Sequence, residues 1–329
     1  MVRFGVVGTS WIAGEFIRCG SLIEDFRLSA IYSRSEERAK KVAKEHNGKC
    51  GVNVFTDLIK MAKSNVMDAV YIASPNSLHA KQAIEFMNNK KHVLCEKPIA
   101  SNSRELMLMI NAARENNVLL MEAMKSNFLP NLQVISKHLY KIGKVRRYLG
   151  NYCQYSMQYD LYKGDQLPNS FNPIFSTGSL MDIGIYCLYP LVYLFGKPKN
   201  IQAGAVILDS GVDGEGNIYL EYDGMDAIIM YSQIANSCLP SEIQGEEGCI
   251  IIDSIAIPRS VEIIYRDGTV QNITQHQTKN IMYYEIQEFI SLIHAGSIES
   301  KINSHQLSLE VMTIMEAARK KMGLIFPAD

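Results

Sequence analysis

The stretch His92-Val93-Leu94-Cys95-Glu96-Lys97-Pro98-Ile99-Ala100 decides how the chain is read, because a short apolar run ends there in two opposite charges and a proline. Preceded by the polar Asn88-Asn89-Lys90-Lys91, the run 92–95 reads as a buried strand of a parallel sheet. Pro98 cannot donate to a sheet ladder and biases Lys97 towards extended backbone, so the strand stops there. Ligands of open α/β sheets gather at the carboxyl ends of strands, which puts Glu96 and Lys97 at the mouth of a candidate site. Read in isolation, the pair is more simply a solvated Glu-Lys pair in a loop, and it is what lies upstream that favours the site.

Upstream, Arg3-Phe4-Gly5-Val6-Val7-Gly8 reads as a strand, and Thr9-Ser10-Trp11-Ile12-Ala13-Gly14 turns it into a helix with Ile12, Ala13, Phe16 and Ile17 at helical spacing. The turn is Gly8-x-Ser10-x-x-Ala13, a degenerate glycine-rich dinucleotide fingerprint. Gly8 allows the turn, the small Ser10 lets backbone amides approach a pyrophosphate, and Ala13 permits close helix packing. A second strand, 28–32, ends at Ser33-Arg34-Ser35. An NAD site usually carries Asp or Glu there for the ribose 2′-hydroxyl, whereas an arginine suits the 2′-phosphate of NADP. Ser33 and Arg34, with Arg38 a helical turn further on, favour NADP, with NAD as the alternative; Arg34 at the solvated start of a helix is the plainer reading. That helix is expected over 35–46 with Gly48 as its C-cap. The strand 68–73 leads into Ser74-Pro75-Asn76-Ser77 and a helix bearing Leu78, Ala80, Ala83, Ile84 and Met87. A helix over 101–116 and a strand over 118–121 follow. Such alternation with short connections implies a parallel sheet covered on both faces.

On these residues the chain resembles the Gfo/Idh/MocA family of nicotinamide-dependent oxidoreductases over essentially its whole length. The carriers are 8–13, Ser74-Pro75-Asn76 with His79, the Glu96-Lys97-Pro98 block, Met121-Glu122-Ala123 and the stretch 178–186 with Asp182 and Tyr186. The resemblance implies a Rossmann doubly wound parallel sheet, here 1–121, and a C-terminal α+β domain, 122–329, with a large, mostly antiparallel, open-faced sheet and last helices able to pack back on the first domain. It implies cofactor contacts from Gly8, Thr9, Ser10, Trp11, Ile12, Ser33, Arg34, Arg38, Ser74, Pro75, Asn76, His79, Glu96 and Lys97. Lys97, Asp182 and Tyr186 become the catalytic candidates. Where family members often carry Trp and Arg, this chain has Lys125 and Asn127.

Beyond residue 122 the pattern changes. A helix over 130–142 capped by Gly143 and a strand-like run over 145–154 precede a polar, aromatic loop with Tyr155, Tyr159, Asp160, Tyr162, Asn169 and Asn172, which suits a hydroxyl-rich ligand or any surface loop. Residues 178–194 read as a helix with Leu180, Ile183, Cys187, Leu191 and Leu194 on one stripe and Asp182 and Tyr186, four apart, on another. Strands are expected over 201–208, 217–222, 227–234, 249–253 and 261–265, then helices over 282–295 and 304–322.

At 329 residues the chain is long enough for two domains. It is 47% hydrophobic and 20% charged, with 33 basic and 34 acidic side chains, so no charge field suggests nucleic acid. The longest apolar stretch, 187–195, reads as too short for a bilayer, and the N-terminus runs straight into a strand, so neither a membrane nor a signal peptide is expected and the cytoplasm is the expected location. Seven cysteines, at 19, 50, 95, 153, 187, 238 and 249, form no C-x-x-C pair and no zinc spacing, and read as small buried hydrophobes.

Hydride transfer from a secondary alcohol needs a proton acceptor near the alcohol oxygen and positive charge for the developing alkoxide. Tyr186 and Lys97 meet those needs, since an ammonium beside a phenol favours its phenolate; Asp182 would hold a substrate hydroxyl or position Lys97. Exchanged roles, with Lys97 as the proton carrier, are the alternative. The expected substrate is a small sugar, polyol or dihydrodiol, and an open sheet face argues for a homodimer or homotetramer. A non-catalytic NADP-binding regulator of the same fold is the rival function.

Overall fold

The computed structural model describes residues 1–46 and 51–329. Its first compact unit comprises residues 1–125 and 278–306, and its second comprises 126–277 and 307–329.

In the first unit, β1 (Val2–Val7), α1 (Trp11–Gly20), β2 (Phe26–Tyr32), α2 (Glu36–Glu45), β3 (Asn53–Phe55), α3 (Leu58–Lys63), β4 (Ala69–Ile72), α4 (His79–Asn88), β5 (His92–Glu96), α5 (Ser103–Asn116) and β6 (Leu120–Ala123) alternate. The six strands form one sheet in the order β3-β2-β1-β4-β5-β6, and every pairing is parallel. The order reverses direction at β1 and β4, the switch point where open α/β sheets bind ligands. β4 and the centre of β5 are buried throughout because helices cover both faces. Phe4 stacks on Phe26 with centroids 4.8 Å apart, and Phe16 on Tyr71 at 3.8 Å, fixing α1 against the sheet.

The second unit holds α6 (Pro130–His138), β7 (Val145–Cys153), α7 (Met157–Lys163), the π-turn Leu180–Gly184, α8 (Ile185–Phe195), β8 (Asn200–Ile207), β9 (Asp213–Glu221), β10 (Asp226–Ser232), β11 (Ser241–Gly245), β12 (Gly248–Ile252), β13 (Val261–Tyr265) and β14 (Val270–Asn272). Its eight strands run β14-β13-β12-β11-β7-β10-β9-β8, antiparallel except where β7 meets β10. Burial alternates along the strands. Ala227, Ile229 and Tyr231 face inward with Ile218, Leu220, Ile250 and Ile263, while Ile228, Met230 and Ile264 point the other way. The inward face packs on α8, whose Cys187 carbonyl accepts from Tyr148 at 3.0 Å.

α9 (Tyr283–His294) returns to the first unit, where Phe289 meets Phe4 at 6.0 Å. The residues after it cover the edge of β6: Leu120 N donates to Ile298 O at 3.1 Å, and Asn303 Nδ2 donates to Glu122 O at 3.1 Å. That occupies an edge which would otherwise be open to another strand. α10 (His305–Met322) closes the chain. Its fully buried Arg319 pairs with Asp329 at 2.6 Å.

Several expectations are corrected. The strand expected over 118–121 is shifted to Leu120–Ala123, and the run 227–234 stops at Ser232. The expected loop after residue 155 contains the helix α7, and β3, α3, β11 and β14 had no clear signal because they are short. Gly48 and Cys50 lie outside the described residues. The cysteines are not all buried: Cys238 is exposed, and Cys153 and Cys249 are half-buried. Residues 173–195 are, by length and composition, apolar enough to cross a membrane, contrary to the shorter span read above, yet 78% of their most apolar stretch is buried within the protein.

Glu285 on α9 is wholly buried and neither carboxylate oxygen has a hydrogen-bond partner. Burial pushes its pKa well above the ordinary 4.5; the Glu96 charge raises it further and Lys125 opposes this. An acid whose folded pKa is raised makes stability fall as pH climbs from about its unfolded value upward. Glu285→Gln should therefore remove that slope and raise stability by about 1–3 kcal/mol at pH 8, with a smaller gain at pH 5. Urea melts at the two pH values check this; equal gains would contradict the assignment.

Candidate functional site

In the first unit the sequence-selected residues leave four adjacent strands at their carboxyl ends. After β1, Gly8 N donates to Tyr32 O at 3.0 Å and Ala73 N donates to Val7 O at 2.9 Å, closing the turn between β2 and β4. Gly8 has φ +113°, and a Cβ there would lie 2.7 Å from Ala73 O, so neither the conformation nor the space admits a side chain. The chain passes through Thr9 to Ser10, the N-cap of α1, whose hydroxyl makes no capping bond; the first turn of α1 holds no acidic residue. Trp11 is 76% exposed and Ile12 half-buried. A helix N-terminus with a glycine turn and no local carboxylate suits a pyrophosphate.

At the end of β2, Ser33 is buried and its Oγ accepts from Ser35 N at 3.2 Å, while Arg34 and Arg38 are exposed. Of the two acids in the first turn of α2, Glu36 and Glu37, Glu36 is paired with Lys40 at 2.6 Å. Two guanidiniums, with no Asp or Glu at the end of β2 itself, fit a ribose 2′-phosphate better than a 2′-hydroxyl.

The loops after β4 and β5 are tied together. Ser74, Pro75 and Asn76 are half-buried, and Ser74 Oγ donates to Gln82 Oε1 at 2.7 Å. His79, wholly buried, sets Nε2 2.8 Å from Ser74 O and Nδ1 2.9 Å from Pro98 O. Burial holds its pKa below the ordinary value. Pro98 follows Lys97 through a cis peptide, and Ile99 N donates to Glu122 Oε1 at 3.0 Å. Glu96 accepts from the Tyr71 hydroxyl. Burial raises the Glu96 pKa, opposed by Lys97, Lys125 and the Tyr71 bond. Thus Glu96, Lys97, Lys125 and Glu285 form one charged cluster within this unit.

In the second unit, Asp182 lies in the π-turn and Tyr186 in the first turn of α8, 7% exposed. Pro190 has no N–H for the Tyr186 carbonyl four residues earlier, so the helix is irregular on both sides of Tyr186. The Tyr186 ring meets Tyr152 edge-on at 5.8 Å. Gln233 Nε2 donates to Asp182 Oδ2 at 2.8 Å. The nearby aromatic segment is built, not loose: Tyr159 stacks on Tyr162 at 6.0 Å and packs on the buried Phe171 at 5.9 Å. Tyr152 and Gln233 escaped the sequence reading. Gln233 fell inside an expected strand, and only its position just past the end of β10 frees its side chain to reach Asp182. Among the described residues, no three His, Cys, Asp or Glu side chains are grouped to hold a metal.

Residues 2–124 match the oxidoreductase family with an NAD-binding Rossmann fold, and residues 140–251 match the GFO/IDH/MocA C-terminal domain. The chain is 53% identical to scyllo-inositol 2-dehydrogenase (NADP(+)) of Bacillus subtilis over 100% of its own length and 99% of that protein's. It is 29% identical to trans-1,2-dihydrobenzene-1,2-diol dehydrogenase of Danio rerio, again over 100% and 99%. Among solved structures, an aldose-aldose oxidoreductase from Caulobacter crescentus shares the fold with a TM-score of 0.85 and 23% identity, covering 97% of each chain. With both domain signatures in sequence and a full-length relative above half identity, the chain belongs to the GFO/IDH/MocA family of nicotinamide-dependent oxidoreductases.

Proposed function

We propose that the protein is an NADP(H)-dependent oxidoreductase acting on a secondary alcohol or ketone of a ring polyol of the inositol kind. The observation that carries this is the 53% identity, end to end, with a dehydrogenase named for scyllo-inositol and NADP(+). The Ser33-Arg34-Ser35 end of β2 supports the same cofactor. The bound nicotinamide supplies the hydride acceptor or donor. The residues of this chain do the rest: the α1 turn holds the pyrophosphate, and Arg34 and Arg38 hold the 2′-phosphate. The Tyr186 phenol takes or gives the alcohol proton, the Lys97 ammonium favours charge on the reacting oxygen, and Asp182 accepts from a neighbouring substrate hydroxyl. We place the enzyme in the cytoplasm. Incubation with NADP+ and scyllo-inositol, other inositols and dihydrodiols should give NADPH; cofactor binding with no turnover of any of them would favour a regulator.

Cofactor choice is expected to reside in Arg34. Arg34→Asp should reverse the ratio of kcat/KM for NADP+ and NAD+, and equal affinities for both cofactors in the parent protein, unmoved by Arg34→Ala, would contradict this.

Tyr186→Phe should leave NADPH affinity almost intact and lower turnover by about a hundredfold or more. Lys97→Met should do comparable damage, and the double variant should be little worse than either, because groups acting as a unit are non-additive. Near-normal turnover and an unchanged pH profile in Tyr186→Phe, with Lys97→Met inactive, would exchange the two roles.

The outward face of the eight-stranded sheet presents Ile228, Leu149 and Ile251, with Met230 37% and Ile264 37% exposed. We assign this face to pairing with a second copy of the chain. Light scattering at micromolar concentration should give at least a dimer, and Ile228→Glu should weaken it; a monomeric parent protein would end this assignment.

A further inference from the structure

The structure assigns to Asp213, assisted by Gln233, the task of holding in place the helix turn that presents Asp182 and Tyr186; it rests on the catalytic reading of those two residues. Asp213 opens β9 and is 1% exposed. Its Oδ2 accepts from Leu180 N at 2.7 Å, the first amide of the π-turn. Gly178 approaches so closely, at φ +127°, that a Cβ on it would sit 2.1 Å from Asp213 Oδ1. The next residue continues the fastening: Gly214 O accepts from Ser179 Oγ at 2.6 Å and from Gln233 N at 3.0 Å. Gln233 then spends its amide on the same turn, accepting from Ser179 Oγ at 3.3 Å and donating to Asp182 Oδ2 at 2.8 Å. Gly178, Ser179, Leu180 and Asp182 are therefore each held from the β9 and β10 ends.

This fastening matters because the helix cannot set its own phase. A π-turn departs from the 100° step of an α-helix, and Pro190 removes one backbone bond beyond Tyr186. Loss of the external bonds would let the turn rewind, and rewinding by a fraction of a residue would swing both side chains.

Asp213 is also a titratable fastener. Burial raises its pKa to about 7, opposed by the Leu180 amide, its own backbone amide, the Tyr231 hydroxyl and the Arg319 charge. The charged and titratable groups that act on it are Tyr231 from β10 and Arg319 from α10, itself paired with Asp329; Asp182, two residues beyond Leu180 on the same turn, is engaged by Gln233. Glu215 on β9 is engaged by Ser232. The ionised carboxylate makes a charge-assisted bond to the amide and places its charge at a helix N-terminus, so the turn is held more firmly above about pH 7 than below. Stability runs the other way. The folded pKa is raised above 3.8, so stability is lost as pH rises through about 7.

The test compares Asp213→Asn, Asp213→Ala and Gln233→Leu with Tyr186→Phe, in protein carrying 3-fluorotyrosine so that the Tyr186 resonance is identified by its loss in Tyr186→Phe. In the parent protein that resonance should move with a midpoint near pH 7, and kcat should rise across the same range. In Asp213→Asn both changes should vanish, NADPH affinity should hold, and the melting temperature at pH 8 should exceed the parent's. Asp213→Ala should lower kcat about tenfold or more, with Asn restoring most of it at pH 6; if the alanine variant does not fold, the asparagine profiles decide. Profiles of Asp213→Asn superimposable on the parent's, in resonance and in kcat, would overturn the inference. Normal turnover in Tyr186→Phe alongside a pH-dependent resonance would instead remove the catalytic role of Tyr186 and leave the fastening intact.

Discussion

An imidazole sealed from solvent holds the cofactor end of the first unit together. His79 lies between the Ser74 and Pro98 carbonyls, at 2.8 and 2.9 Å, so one ring spans the loops that follow β4 and β5. A neutral imidazole carries a single N–H, so it bonds one carbonyl and merely approaches the other; burial keeps it from taking the second proton. That residual mismatch is tolerable only because Ile99 N is anchored independently on Glu122 and Ser101 N on Glu105. The backbone that follows Lys97 is thus anchored at Pro98, Ile99 and Ser101.

The first unit was legible in sequence because parallel strands buried on both faces are short, apolar and punctuated by polar residues and glycine at their carboxyl ends. Gly8, Ser33 and Lys97 follow immediately on such strands, and Asn76 comes four residues after one. What failed there was short: β3 and α3 have three and six residues, too few for periodicity to declare itself. The second unit was less readable for a different reason. Its strands show one buried face each, so boundaries blur into polar turns, and a residue such as Gln233 changes role according to whether the strand ends one position earlier. The π-turn was also hidden, because the apolar stripe of residues 180–194 fits an ordinary α-helix well enough.

The irregular helix has a chemical logic. Asp182 and Tyr186 are four apart, which in a regular α-helix would stack them on one face about one turn apart. A π-turn widens the bond spacing under Asp182 and frees its carboxylate to meet Gln233 while Tyr186 leans on Tyr152. The cost is a helix end whose backbone bonds must be completed by neighbours, and the loop ends of β9 and β10 provide them. Those ends are rigid because β10 is paired along its full length on both sides, parallel to β7 and antiparallel to β9.

Glu96, Asp213 and Glu285 are acidic side chains with raised pKa that adjoin the proposed chemistry. A fold seeking only stability would place apolar groups there, since a buried carboxylate without full compensation is destabilising. Glu96 and Glu285 repel each other and share the attraction of Lys125, so two negative charges together are disfavoured. Glu285 has no hydrogen-bond partner, whereas Glu96 has the Tyr71 hydroxyl and the Lys97 charge. Burial thus favours the protonated form of Glu285, while Lys97, Lys125 and the Tyr71 hydroxyl oppose the same tendency in Glu96. The buried acid on α9 is thus part of the electrostatics of the Glu-Lys-Pro turn, although it lies nearly two hundred positions away in sequence and leaves no local signature there.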